Sequence, residues 1–313
     1  MTTSIETPSD RIVSTKLPSG KTQASDRLRR RERESDGGDS SPLRMLRPGR
    51  RDRIIIYVVL GVLTLWWIFP MWTAISTSLS VGGIQNYINL LTKPVNGFFL
   101  ANTFVNSAVI ALIHAGCVCV VSALAGYAFS QLKFRLRETI YYAVLICLAV
   151  PGTALIVPIY YISGTLGLFN SYLGVALPEA ALTLPFGILL IRNFADGLQA
   201  STFEAAQVDG ANSWQVFRHV FMPQMRSPLI NLAILSIMWS FQDFVFPSLL
   251  LRSPELTTAS QAVQTIQGAF GPTPQQTAEY YAALVLLAVP AVLLVTFGLR
   301  WVSRGLTSGA NKE

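Results

Sequence analysis

Long uncharged stretches, not short alternating ones, dominate this chain after its first fifty residues. A helix needs roughly 20 apolar residues to cross about 30 Å of hydrocarbon. Ile54 to Leu79 holds no charge, and a second run from Asn102 to about Ser130 holds only His114 as an ionisable group. From Thr139 to Ile191 there is no Lys or Arg and one acid, Glu179; Gly164, Gly167, Asn170, Ser171 and Gly174 divide a stretch too long for one helix. Pro228 to Leu251 is apolar around Asp243, and Tyr280 to Leu299 closes the series. The pattern predicts an all-α integral membrane protein with six transmembrane helices, near residues 54–79, 102–130, 139–162, 174–192, 228–251 and 280–299. An even number puts both termini on one side.

Charge sharpens this picture. Of 41 charged residues, 21 fall in residues 1 to 53, leaving 20 for the other 260. A body so poor in charge finds its natural solvent in lipid. Alternate loops are unequal: the N-terminal segment, residues 132–138, the 194–226 region with Arg192, and the C-terminal end carry 22 Lys and Arg, whereas the opposite loops carry Lys93 and Arg252. By the positive-inside rule the first set is cytoplasmic, and with it both termini. The net charge of +7 is then accounted for by topology, and nucleic acid is not implied. Residues 1–50 lack apolar periodicity and read as a disordered basic tail. Its Gly20-Lys21-Thr22 copies the end of a phosphate-binding loop, but Thr15 stands where the first glycine belongs and no strand precedes it.

The charged loop between spans four and five carries the most chemistry. It contains Glu204-Ala205-Ala206, then Asp209-Gly210-Ala211, Asn212, Trp214, Gln215, Phe217 and Phe221, and ends at Pro223. Ser201 with Glu204, and Asn212 with Gln215, have the spacing of capping boxes, so two short helices are expected with Gly210 as the turn between them. Trp214, Phe217 and Phe221 lie on one face of the second helix.

This spacing resembles the EAA loop of bacterial ABC import permeases: Glu-Ala-Ala, three residues, Gly, nine residues, Ile-x-Leu-Pro. Val220 and Met222 replace the Ile and Leu, and Leu198-Gln199 stands where Ile-Pro is usual. Asp209-Gly210-Ala211 is similar to the carbohydrate-importer branch. Phe241-Gln242-Asp243-Phe244 with Pro247 resembles the Trp-Asn-Asp-Phe-x-x-Pro signature of the same permeases. The end, Gly305, Leu306, Gly309 and Lys312, resembles the tail of the G-type subunit of the maltose permease pair. Asn106-Ser107, Pro151, Pro158 and Gly167-Leu168 extend the likeness from about residue 54 to the end.

The resemblance implies a type I importer fold over residues 51–303, with a coupling loop at 194–226 and a cytoplasmic tail at 304–313. It implies a plasma-membrane subunit without its own ATPase site and with no bound cofactor, ATP being used by partners. Those partners are a second, different permease, two ATPase subunits and an extracytoplasmic solute-binding protein, and the cargo is a carbohydrate or related solute. ATPase-coupling residues would be Glu204, Ala205, Ala206, Asp209, Gly210, Trp214, Phe217 and Pro223, with Gly305, Leu306, Gly309 and Lys312 as the ATPase-contacting tail. Gln242, Asp243 and His114 are candidates for the substrate path, since polar groups inside spans are expensive and functional by default. Glu179 is expected near the outer end of span four. Cys117, Cys119 and Cys147 read as packing residues, and no nucleophilic triad or metal-ligand spacing is present. An ion-coupled secondary transporter, or a membrane assembly protein without transport, would share the spans but have no use for the EAA loop.

Overall fold

The computed structural model describes residues 50–94, 97–266 and 273–310. The chain divides into two units, Met1–Trp66 and Trp67–Glu313. Every regular element among the described residues is helical. Helix α1, Arg50–Ser78, crosses the boundary between the units, and α2, Gln85–Thr92, follows. Helix α3, Leu100–Gln131, leads to a bent pair: α4, Arg137–Ile146, and α5, Ile156–Thr165, each extended by a 3-10 turn. Then come α6, Tyr172–Asp196; α7, Ala200–Val208; α8, Ser213–Val216; and α9, Met222–Gln224. Helices α10, Arg226–Gln242, α11, Val245–Leu250, α12, Ala259–Ile266, and α13, Pro274–Ala310, complete the chain.

Four helices, α1, α3, α6 and α13, are long and apolar enough to cross a membrane unaided. Two of the six expected spans differ. The third is bent by 94° between Ala149 and Gly152, because Pro151 offers no N–H and forces Val150 into an extended conformation (φ −83°, ψ 118°). The fifth is broken at Asp243 (φ −66°, ψ 134°), leaving α10 with 17 residues and α11 with six. The division of the 139–191 stretch falls where its glycines and Asn170 stand: Gly167 and Asn170 take positive φ (66° and 56°), and the Ser171 hydroxyl then accepts the Gly174 N–H at 3.0 Å to cap α6. Helix α13 continues past residue 299, so Gly305, Leu306 and Gly309 extend it instead of forming a separate tail. Lys312 and residues 1–49 lie outside the described residues.

The protein turns lipid-like side chains outward. Tyr57, Leu65, Trp66 and Trp67 on α1 are each at least 70% exposed, an arrangement that hydrocarbon tolerates and water does not. Without a hydrophobic drive between helices in lipid, close packing must hold the bundle. Gly187 supplies it at the crossing of α3, α6 and α10. A Cβ there would overlap Ser122 Oγ and crowd Val118 and Leu232 at 3.2 and 3.3 Å. At the α3 N-terminus, Asn106 donates to the Glu255 and Thr257 carbonyls at 2.8 Å and accepts from Tyr172 OH at 2.8 Å. Ser107 accepts the Ala259 N–H at 2.9 Å, so the segment after α11 is stitched to the bundle end.

Gly187→Val is expected to destabilise the protein by about 1–3 kcal/mol through overpacking. Gly116→Ala, with nothing within 4 Å of the new Cβ, is the neutral comparison. Melting of the purified protein in detergent checks both, and equal midpoints would refute the three-helix crossing.

Candidate functional site: a helix-turn-helix knob and a polar pocket

Residues 200–224 form a knob between α6 and α10. The first helix, α7, ends in a Schellman motif: the Gly210 N–H meets the Gln207 carbonyl and the Ala211 N–H meets the Ala206 carbonyl, both at 3.0 Å. Gly210 sits at φ +81°, a conformation that a side chain with a Cβ adopts only at a cost. Two residues on, the expected capping box is complete. Asn212 Oδ1 accepts the Gln215 N–H at 2.9 Å, and Gln215 Oε1 accepts the Asn212 N–H at 2.8 Å. The other expected box is not formed. Helix α7 starts at Ala200 with Gln199 at its cap and no side-chain cap bond, which puts Ser201 inside the helix.

After α8 the chain widens into one π-turn, Phe217–Phe221, in which the Met222 N–H reaches the Phe217 carbonyl. Pro223 follows at once. It has no N–H to continue an α-helical ladder, and the wide turn absorbs the mismatch.

Aromatic packing fixes the knob to the bundle. Phe203, Val216, Phe217, Phe221 and Met225 are all buried, Phe221 and Met225 completely. Tyr127 of α3 meets Phe217 and Phe221 edge-on, with centroids 5.3 and 5.1 Å away, and its hydroxyl donates to the Ser213 carbonyl at 3.0 Å. This corrects the expectation that Phe217 contacts the ATPase: it belongs, with Phe221, to this chain's own core. Trp214 stays 60% exposed, stacked on Phe217 at 5.2 Å. Glu204, Ala205, Asp209, Gly210 and Pro223 are exposed, and Ala206 is half-buried against the core. Asp209, Gly210, Ala211, Gln215, His219 and Val220 line a groove of about 320 Å³. Tyr127 escaped sequence reasoning, since nothing in an apolar run marks one tyrosine as the anchor of a loop 86 residues away.

An ionic cluster lies at the α6 C-terminus, just before the knob. Arg192 Nη2 donates to both carboxylate oxygens of Glu138 at 2.8 Å, its Nε lies 3.5 Å from Asp196, and its guanidinium rests 3.8 Å over the Tyr141 ring. Arg192 is therefore a buried helix residue tying α4 to α6, not a loop charge.

The second polar feature is inside the bundle. His114 of α3 is fully buried, with Nδ1 3.1 Å from the Ser236 carbonyl and Nε2 3.0 Å from Thr183 Oγ1. Glu179 is 6% exposed and accepts a hydrogen bond from Ser240 Oγ. It stands two turns from the N-terminal end of α6, and its burial is what the expectation of a place near a span end did not include. Asp243 occupies the break between α10 and α11, its carboxylate accepting the Val245 and Phe246 N–H groups at 3.1 Å. Backbone groups released by the broken helix are thus satisfied by the residue that breaks it. His114, Glu179, Thr183, Trp239, Ser240 and Asp243 share a pocket of about 230 Å³. Gln242 is exposed and does not line it.

Comparison with known proteins gives this arrangement a family. The model of the family described as "Binding-protein-dependent transport system inner membrane component" matches residues 119–308, which include both the knob and most of the pocket. The lactose transport system permease protein LacG of Rhizobium radiobacter is 30% identical over 258 residues, 79% of this chain and 92% of the relative. The trehalose transport system permease protein SugB of Mycobacterium tuberculosis is 27% identical over 266 residues, 83% of this chain and 94% of its own length. Among solved structures, a bacterial ABC transporter involved in importing the acidic polysaccharide alginate has a similar fold, with a TM-score of 0.69 at 20% identity, covering 81% of this chain and 98% of that one. The MetNI methionine ABC transporter, TM-score 0.52 at 18% identity, covers 70% of this chain and 97% of that one. Matched by its family model over more than half its length, the chain belongs to the inner-membrane permeases of binding-protein-dependent ABC transport systems.

Proposed function

We propose that this chain is one of two different permeases in an ATP-driven importer that brings a carbohydrate across the plasma membrane. Family membership makes it a multi-pass permease subunit and not an enzyme. Sugar transport in relatives, with lactose, trehalose and arabinooligosaccharides in their names, supports the cargo. The observation that carries the reading is the knob: an internally capped helix-turn-helix with an exposed acidic and aromatic surface, cemented into the bundle by buried aromatics.

In this reading the knob, both termini and the basic loops face the cytoplasm, with six crossings counted by treating the bent and the broken helices as one span each. An extracytoplasmic binding protein delivers the sugar, and two ATPase subunits take hold of the coupling loops of the paired permeases. Glu204 and Asp209 present carboxylates to the ATPase, Gly210 keeps the turn, and Trp214 supplies the apolar contact. Phe217 and Phe221 do not dock; they pass the motion of the knob to α3 through Tyr127. The C-terminal end, Gly305 to Lys312, reaches toward the ATPase pair. Closing of the ATPases on ATP then rocks the spans between inward-facing and outward-facing forms.

Gly210→Asp and Glu204→Lys are expected to leave the protein in the membrane while abolishing uptake of labelled sugar in complemented deletion cells. Wild-type uptake by both variants refutes the coupling assignment. Contact and anchor separate by a second pair. Trp214→Ala is expected to weaken copurification of the ATPase with little change in melting, whereas Phe221→Ala is expected to cost about 3–5 kcal/mol of stability, as for other buried aromatics. Detergent melting and pull-down together check this, and the reverse pattern would exchange the two roles.

A further inference from the structure

The pocket between α3, α6 and the α10–α11 break carries a selection that the family name does not specify. Glu179 is buried; Ser240 donates to one of its carboxyl oxygens, its side chain also pairs with that of Asp243, and Oε1 finds no other donor among the described residues. Leaving a buried oxygen unsatisfied is costly, and this one belongs to a side chain lining the pocket.

Around it the donors are already committed. Both ring nitrogens of His114 are engaged, one by the Ser236 carbonyl and the other by Thr183 Oγ1. The Thr183 hydroxyl lies 2.8 Å from the Glu179 carbonyl, and the Ser240 hydroxyl is given to Glu179. Asp243 adds a second carboxyl group, and no Lys or Arg lines the pocket. An anionic ligand would meet two acids and no Lys or Arg. A hydroxyl, which both donates and accepts, meets Oε1 as its acceptor. Trp239, 48% exposed and braced edge-on by Phe186 at 5.3 Å, adds an indole N–H and a flat apolar face of the kind that covers the C–H side of a sugar ring. At about 230 Å³ the pocket falls below the roughly 300–1,000 Å³ of drug-sized ligand sites, a size suited to a single sugar residue.

We infer that this chain's part of the path accepts an uncharged sugar and rejects acidic ones, with Glu179 as the residue that binds the hydroxyl. The inference rests on the carbohydrate-importer reading and narrows it. It also separates this chain from its structural neighbour that imports an acidic polysaccharide, since the shared fold does not carry the charge of the cargo.

The test is direct binding to the purified assembly of both permeases and the ATPase subunits in nanodiscs, without binding protein, read by saturation-transfer NMR. Maltose, lactose and trehalose serve as neutral probes and digalacturonate as the acidic one. The expected result is binding of at least one neutral disaccharide, none of digalacturonate, and affinity about tenfold weaker in Glu179→Gln, the scale of one hydrogen bond. The melting midpoint of the variant separates lost binding from lost folding. A conservative Ser240→Ala change, which leaves the carboxylate in place, is expected to keep the rejection of digalacturonate. Binding of digalacturonate, failure of all three neutral probes, or equal affinity in native protein and Glu179→Gln overturns the inference. ATPase copurification in the same preparation reports on the importer reading separately, so a selectivity failure with ATPases bound overturns the charge selection alone.

Discussion

Tyr127 stands edge-on to Phe217 and Phe221 and hydrogen-bonds the Ser213 carbonyl, and the rest of the cytoplasm-facing apparatus proposed above depends on that junction. A surface helix held by a flexible hinge would absorb a push. A knob whose own turn is closed by a Schellman motif and a capping box, and whose underside is a packed aromatic core, transmits it. Edge-to-face aromatic pairs are worth about 0.5–1.5 kcal/mol each beyond the area they bury, and here two such pairs converge on one ring. The same junction explains why the apolar stripe from Trp214 to Phe221 is mostly covered: Phe217 and Phe221 are spent on attachment, and Trp214 stays exposed.

A second constraint comes from the bilayer, where each backbone N–H and C=O must find a partner within the protein. Breaking a span is therefore expensive unless something supplies the missing bonds. At Asp243 the side chain itself does so, capping α11 through two N–H groups, while Ser260 Oγ donates to the Asp243 carbonyl at 2.5 Å. Interrupted helices of this kind are tolerated where they line a cavity, and this break does line the pocket with Glu179 and His114. The bend at Pro151 has a different cause. It follows from the ring and the missing N–H alone, and among the described residues it borders no comparable cluster of acids.

How far the sequence can be read depends on how local the signal is. Four of the six span-length apolar runs, the turn at Gly167 to Ser171, the Gly210 turn and the Asn212 box are written in contiguous or neighbouring residues, and each appears in the structure. Ser201 and Glu204 matched a box by spacing, but a box exists only if the helix starts between them, and α7 begins two residues too early. The burial of Phe217 and Phe221 was not legible, because amphipathic spacing says that a face is covered without saying by what. The burial of Glu179 was hidden for the same reason: it depends on which helices close over it. Tyr127 and Ser240 carry no local mark at all. Their roles arise from contacts 86 and 61 residues away in sequence.

The knob and the pocket are joined by continuous helix on both sides. From Glu179 the chain runs down α6 to Asp196 and enters the knob four residues later; from Met225, buried under the knob, α10 runs to Gln242 and the Asp243 break. At 1.5 Å per residue each path is about 25 Å of helix. A rigid displacement of the knob is thus delivered to the pocket along two struts that carry its two carboxylates separately, Glu179 on one and Asp243 at the end of the other. Motion of the struts in parallel would carry the pocket whole. Relative sliding would strain the close packing of Ser122, Val118 and Leu232 around Gly187 and pull Ser240 away from Glu179. In the importer reading proposed above, coupling is a matter of geometry between these two helices, with ATP-driven work entering at the knob and the grip on cargo altered at the pocket.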